Sequence, residues 1–454
     1  MPPPTRGKTT KTASATDGAS IYKGPVGPLR HRCPLCPTAA SQLLLCTGCR
    51  AFRYCSRDHQ VAHRPQHKSA CAKTKNARTK LAKEDHDVRN ATPDSMTPAN
   101  AFETAVGHFW GIPSTCDYMR ARDALAGQLL ELGTLDGVQE ALDHMQDMVR
   151  LCRSDNMGLR SIMPAVMLRL DLDQECYDFI KWWATCDPDG RYDWSDMTLP
   201  HLNIHGADVL EDPVIFIGDV LALDHIIAHL ILKLKLLVDI INLKITRKVL
   251  AQSRLPSELR DQIERGVVRS PLSAKFQKEP PGSLSKIEIT LLNHIRQLGS
   301  EVNTNSDFMR HLFDPDEALS YKPKTYSRSS RQEMALAIQF SYAAWWETEG
   351  VLNLLNNARA IAARDLRDEM TGCMRNREAK EGRIAEGMLE GLSLNGVWEY
   401  LDTAVQDAAY LGPRSERPSE RHARAVEEFW ANAKAEVPEL LAMFEALVPD
   451  DETY

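Results

Sequence analysis

The strongest constraint on the fold of this chain is a concentration of potential zinc ligands in residues 33–71. Two Cys-x2-Cys pairs are followed by a Cys-x3-His pair and a His-x3-Cys pair. A Cys-x2-Cys turn directs two thiolates at one ion, and helical residues four apart share a face. The spacing therefore predicts two tetrahedral zinc sites, built from Cys33, Cys36, Cys46, Cys49, Cys55, His59, His67 and Cys71.

Spacing alone leaves the division of these ligands between the two ions open. In a sequential arrangement, the four thiolates of residues 33–49 bind one ion and the remaining four groups bind the other. In an interleaved arrangement, the first and third pairs share one ion. Either arrangement fills all four positions of each zinc with protein ligands, so both zincs are expected to be structural.

Residues 33–71 resemble a MYND-type zinc finger. Beyond the ligands, the shared features are Tyr54 before Cys55, then Gln60, and the segment His67-Lys68-x2-Cys71. The resemblance implies the interleaved arrangement. One zinc then takes Cys33, Cys36, Cys55 and His59, and the other takes Cys46, Cys49, His67 and Cys71.

Two positions depart from the family pattern. His59 stands where the family more often has Cys, and an imidazole nitrogen is an equally good zinc ligand. Arg64 stands where the family usually has Trp. In MYND fingers that bind proline-containing peptides, that Trp and the Gln help to form the peptide groove. Because only Gln60 is retained, this recognition mode does not follow for the present chain.

Pro65 predicts a break in the second half of the finger. Its ring clashes with the preceding turn and it has no N–H to donate, so the helix that begins near Cys55 should end or kink by Arg64. His63 shares the four-residue spacing of the ligands. With the helix broken, it is predicted to be an exposed side chain outside the metal sites, as is His31.

The finger is too short to fold on a hydrophobic core alone, so the metals must stabilise it. Leu43, Leu44, Leu45, Phe52 and Tyr54 are expected to form the small core around them. A second interpretation of the same apolar set is a face that binds peptides.

Composition divides the chain into regions. We predict a disordered tail at 1–28, the finger at 29–72, a basic and polar linker at 73–100, and an α-helical domain at 101–454. Residues 1–83 contain 16 Lys and Arg but only Asp17 and Asp58 as acids. This excess is typical of a solubilised finger with its tails, and the alternative is nucleic-acid binding.

The region after residue 100 shows helical periodicity and no clear strand alternation. Segments 127–145 and 165–183 align at an offset of 38 residues and predict helical hairpins. They resemble tetratricopeptide-type repeats near 115–186, with Leu132-Gly133 at a helix end. Further helices are predicted at 219–250, 284–299, 330–347, 350–368, 376–391, 396–409, 418–435 and 437–447.

The most apolar stretch, Val214 to Leu250, is predicted to be a core helix. Charged residues inside it argue against a membrane span. Polar positions recur every three or four residues and predict one solvent-exposed face, at His225, His229, Lys233, Lys235, Asp239, Asn242 and Thr246. The absence of a signal-like N-terminus and the unpaired spacing of the remaining cysteines indicate an intracellular protein.

The sequence favours a non-enzymatic adaptor or regulator with structural zinc and protein partners, and it suggests no membrane attachment and no small-molecule substrate. One alternative is a nucleic-acid-binding regulator. Another is a MYND-associated methyltransferase, which is disfavoured because Asn293-His294-Ile295-Arg296 shares only its first two residues with the SET cofactor motif. His225 and His229 have metalloprotease spacing but lack the general-base Glu, because Ile226 follows His225.

Overall fold

The computed structural model describes residues 27–36, 43–218, 222–305, 308–323, 325–374, 394 and 396–408. Most of the predicted disordered tail, 1–28, lies outside these residues. So do the predicted helices at 376–391, 418–435 and 437–447.

Helices dominate the described chain. They are α1 (Arg57–Arg89), α2 (Ala101–Thr104), α3 (Pro113–Glu131), α4 (Leu135–Leu151), α5 (Met163–Arg169), α6 (Asp173–Thr185), α7 (Leu223–Leu250), α8 (Ser257–Val267), α9 (Pro281–Asn305), α10 (Phe308–Phe313), α11 (Asp316–Ser320), α12 (Arg331–Glu347), α13 (Val351–Met374) and α14 (Leu401–Gln406). Short 3-10 helices lie at Phe109–Gly111, Leu159–Ser161, Pro213–Phe216, Pro271–Lys278 and Gly396–Trp398. Strands β1 (Leu44–Leu45) and β2 (Arg53–Tyr54) pair antiparallel. The expected finger joined to a large all-α region is confirmed.

Helix α1 corrects the predicted break at Pro65 and extends into the segment predicted as linker. It begins where the Ser56 side chain accepts a hydrogen bond from the N–H of His59, and it runs through Pro65 without interruption. A proline inside a helix costs about 3 kcal/mol, but zinc ligands before and after Pro65 fix this helix at both sides. Residues 73–89, predicted as linker, continue the helix and pack against α3. The domain boundaries stay predictions.

Two helical hairpins follow the finger. Helices α3 and α4 pack against each other, and so do α5 and α6. The turns contain Gly133 and Asp171, which have φ of 61° and 59°. These two residues are 38 positions apart, so the repeat offset in the sequence corresponds to one left-handed turn residue in each hairpin.

Helix α7 forms the centre of the helical region and packs against α5, α9 and α12. The predicted solvent-exposed face is wrong, because every polar position proposed for it is buried. Loops and neighbouring helices cover α7 and supply polar partners in place of water. Lys235 lies 2.6 Å from an oxygen of Asp171 and 2.7 Å from one of Asp173.

The same part of α7 buries a second lysine next to two histidines. Lys233 donates hydrogen bonds to the carbonyl of Val209 and to Nδ1 of His294, the latter at 3.1 Å. Burial lowers the pKa of Lys233 to about 7 and that of His294 to about 4, since both charged forms lose hydration. His229 is fully buried, and neither of its ring nitrogens has a hydrogen-bond partner among the described residues.

Helix α7 is apolar enough to invite comparison with a membrane segment. Within the described part of the chain, neither α7 nor any other helix has the length and hydropathy needed to span a bilayer.

Candidate metal centre

The first cluster brings together the first and third ligand pairs of the finger. Cys33 and Cys36 lie on one tight turn, Cys55 directly follows β2, and His59 lies in the first turn of α1. The sulfurs of Cys36 and Cys55 are 3.4 Å apart, and Nδ1 of His59 is 3.0 Å from the Cys55 sulfur and 3.6 Å from that of Cys33.

The second cluster lies on the other side of the hairpin. Cys46 and Cys49 bracket its turn, and His67 and Cys71 are one turn apart on α1. Nε2 of His67 is 3.5 Å from the Cys46 sulfur and 3.4 Å from that of Cys49. Burial lowers the pKa of His67 to about 4, which favours the neutral imidazole that a metal requires.

Gly48 makes the second cluster possible, and ligand spacing gave no indication of this role. A Cβ atom at this position would lie 2.6 Å from the sulfur of Cys71. Only glycine therefore lets the Cys46–Cys49 turn approach α1 closely enough to share an ion.

Both clusters fit zinc. In each, three sulfurs and one imidazole nitrogen lie within 4.8 Å of one another. Zinc–sulfur bonds near 2.3 Å and zinc–nitrogen bonds near 2.0–2.1 Å place tetrahedral ligands about 3.5–3.8 Å apart, close to most of the observed separations. The geometry groups the ligands in the interleaved way and not sequentially, and the expected pair of zinc cofactors is supported.

His63 is buried, contrary to prediction, because the uninterrupted α1 keeps it on the side that faces the hairpin. Its Nδ1 forms a 3.0 Å hydrogen bond with the hydroxyl of Tyr54. Its ring stacks on that of His67 at 5.6 Å with planes 10° apart. It belongs to neither ligand cluster and acts as a packing partner of a ligand. His31 is exposed and lies 3.3 Å from a carboxylate oxygen of Asp136.

Some apolar residues of the finger form a core, as predicted, and others lie on its surface. Tyr54 is buried and Phe52 is half-buried, as expected for a core. Leu44 and Leu45 on β1 are 56% and 40% exposed, so their assignment to the core is wrong. Both side chains face solvent and add an apolar patch to the surface of the finger.

The finger is docked on the hairpin of α3 and α4. Arg53 makes two hydrogen bonds to the carboxylate of Asp136, at 2.7 and 2.8 Å. Arg78 donates to both carboxylate oxygens of Glu140 and, at 2.8 Å, to the carbonyl of Cys49. Burial alone would raise the pKa of Glu140, but the nearby His144, whose Nε2 lies 3.7 Å from the carboxylate, and the hydrogen bonds from Arg78 lower it to about 2. Sequence reasoning missed the contact of Arg78 with Glu140, because the segment around Arg78 showed only an excess of basic charge.

Residues 33–71 match the MYND finger family profile. This segment is a MYND finger. The match covers less than a tenth of the chain and gives no family for the helical region. No curated protein and no solved structure matches the chain at a significant level. The resemblance of residues 115–186 to tetratricopeptide repeats is not confirmed.

Proposed function

We propose that this protein is an adaptor that binds protein partners through its MYND finger. The observation that carries the proposal is the pair of exposed leucines, Leu44 and Leu45, on strand β1, which leads directly into Cys46 of the second metal cluster. MYND fingers are protein-interaction modules. A preorganised apolar surface binds with less loss of conformational entropy than a mobile one.

The zincs are proposed to act only as structural ions. Three thiolates and one imidazole complete the tetrahedron of each, which leaves no position for a water or a substrate. In the helical region, Lys233, His229 and His294 have lowered pKa values. Burial and mutual charge are the causes, and such groups also occur in structural networks. We therefore propose no enzymatic activity.

The proposal is tested by affinity capture from a cell extract with three forms of the full chain. These are the unchanged protein, a Leu44→Ser/Leu45→Ser variant, and a control, Ile289→Ser. Ile289 is 58% exposed on α9, far along the chain from the finger. We expect the leucine variant to lose specific partners while keeping two zincs, and the control to keep both partners and zinc.

Retention of every partner by the leucine variant would contradict the proposed function. A captured fraction that consists of nucleic acid, and that is released by moderate salt, would favour the nucleic-acid alternative instead.

A further inference from the structure

Helix α8 exposes its apolar residues to solvent. Leu259 and Ile263, which we call the α8 stripe, are one turn apart and are 46% and 37% exposed. Leu255, shortly before the helix, is 36% exposed. Of the residues of α8, Val267 alone is buried. An amphipathic surface helix normally turns its apolar stripe towards the core, so the orientation of α8 is the reverse of the usual one.

Contacts on the other side of α8 explain this orientation. Arg247 of α7 lies 2.9 Å from a carboxylate oxygen of Glu264, and Gln277 donates a 3.0 Å hydrogen bond to the carbonyl of Glu264. At 3.6 residues per turn, Glu264 is about 140° around the helix from Leu259 and about 100° from Ile263. Anchoring α8 through Glu264 therefore directs the stripe away from α7.

The sequence beyond the described residues contains a segment with a matching pattern. In residues 437–447, Leu440, Phe444 and Leu447 recur at intervals of four and three, which is the spacing of one face of a helix. Pro438 is suited to the first turn of a helix. The predicted helix at 437–447 therefore has an apolar stripe of its own to bury.

The charges beside the two stripes are complementary. On α8, Arg260 lies on one flank of the stripe, and Arg265 and Glu258 lie on the other. Neither arginine side chain has an ion-pair or hydrogen-bond partner among the described residues. Every charged residue in 436–452 is acidic. An approaching helix from this segment is therefore attracted by two arginines and repelled by one glutamate.

The described chain ends within reach of α8. Asp402 of α14 pairs with Arg296 of α9, and Glu288, eight residues earlier on α9, pairs with Lys244 of α7. Eight helical residues span about 12 Å. Three residues beyond Lys244, Arg247 makes the contact with α8. A short path of paired side chains thus connects α14 to α8.

The intervening chain is long enough to follow this path. Residues 409–436 connect Ala408, the last described residue, to the segment. Their extended length is about 60 Å even if 418–435 is helical, as predicted. The segment can therefore contact α8 of its own chain.

A tethered segment also fits the small size of the surface. Each partner in a stable complex of separate proteins buries about 800 Å², and one face of an 11-residue helix offers much less. A linker holds a segment near its site at an effective concentration on the order of millimolar. Weak contacts are then sufficient for occupancy.

We propose that residues 437–447 form a helix that docks on the α8 stripe of the same chain and covers it. The proposal concerns a different region from the finger and does not depend on the adaptor function. A protein that bound the α8 stripe would first have to displace this segment.

The contact is tested by photo-crosslinking in zinc-loaded full-length protein. The photoreactive residue p-benzoylphenylalanine replaces Phe444, and ordinary chains are mixed with heavy-nitrogen-labelled chains before irradiation. We expect crosslinks to residues 255–263 of the same chain. Crosslinks between ordinary and heavy chains would show that a second copy occupies the stripe and would overturn the proposal. The absence of any crosslink to α8 would leave the stripe to a separate protein and would overturn it as well.

Two matched variants test the stripe itself. Leu259→Ser/Ile263→Ser is expected to lower the crosslinked fraction at least about threefold, because docking then buries less apolar area. The control is Val61→Ser/Ile289→Ser, which changes two residues that are 59% and 58% exposed outside α8. It should leave the fraction unchanged, and equal losses in both would overturn the proposal. If the first variant loses helical circular dichroism, Leu259→Ser is used alone, and an unchanged fraction then overturns the proposal.

A change in the segment should also be detected at α8. In Leu440→Ser/Phe444→Ser/Leu447→Ser, we expect hydrogen exchange of the α8 amides to increase at least about threefold, because the covering helix is released. The control, Ala442→Ser/Ala446→Ser, changes the opposite side of the predicted helix and should leave this exchange unchanged. Unchanged α8 exchange in the first variant would overturn the proposal.

Discussion

The finger and the centre of the helical region are stabilised by different kinds of interior. The finger places metal ligands at its centre and leaves Leu44 and Leu45 outside. Helix α7 places almost its whole surface inside, including lysines and an aspartate. The finger therefore depends on two ions, and the helical region depends on packing and on internal ion pairs. Metal removal should therefore unfold the finger, and substitution of buried residues should destabilise the helical region. The two effects should overlap only at α1, which joins the regions.

Removal of zinc should have the largest effect. Structural zinc in finger peptides contributes about 10–16 kcal/mol, and α1 carries ligands of both ions while packing against α3. On chelation, we expect hydrogen exchange to increase throughout the finger and α1, and to a lesser degree in α3 and α4. The amides of α7 should keep their protection. Unchanged exchange in α3 and α4 would show that docking does not depend on the metals.

Removing one partner from the buried ion pairs should come next. Asp173 is fully buried and faces Lys235, which is 1% exposed. Asp173→Ala removes one of the carboxylates that face this buried ammonium, so we expect a loss of about 3–5 kcal/mol in the free energy of unfolding. The control is Asp117→Ala, which removes an exposed pair with Arg120 and should cost less than about 1 kcal/mol. Similar losses in both variants, measured by denaturant unfolding, would contradict the importance of the internal pair.

Two glycine substitutions separate the regions directly. Gly48→Ala forces a methyl group against the Cys71 sulfur, and Gly299→Ala forces one to 2.4 Å from the ring of Trp398. We expect the first to lower zinc content from two towards one per chain. The second should keep both zincs but lower the stability of the helical region by about 1–3 kcal/mol. Zinc content is measured by metal analysis, and stability by denaturant unfolding. Loss of zinc in Gly299→Ala, with full zinc content in Gly48→Ala, would contradict the proposed difference between the two regions.

The smallest effect concerns pH. Lys233 has a pKa of about 7 in the fold, against 10.5 ordinarily, so between these values the unfolded chain binds more protons. Stability should therefore rise with pH from about 7, by about 1 kcal/mol up to pH 8 from this group. Lys233→Met should remove that rise. Parallel pH dependence of the two proteins would show that burial does not shift the pKa of this lysine.

Sequence reasoning succeeded where the controlling interactions are local. Ligand spacing identified both zinc sites, and helical periodicity identified α7, α9, α12 and α13. It failed where residues distant in sequence determine whether a helix continues or a polar side chain is buried. The local penalty of Pro65 could not be weighed against metal ligands on both sides of it. The periodic polar residues of α7 were predicted to be solvent-exposed, because their buried partners, such as Asp171 for Lys235, are distant in sequence.

Helix α1 has a consequence for how this protein can be rearranged by genetic recombination. With 33 residues and a rise of about 1.5 Å per residue, it is roughly 50 Å long, and it crosses the boundary that the family profile draws after Cys71. A cut at that boundary would sever the helix between its ligands and the part that packs on α3. A transplanted finger must therefore keep all of α1 together with the α3–α4 hairpin on which it packs.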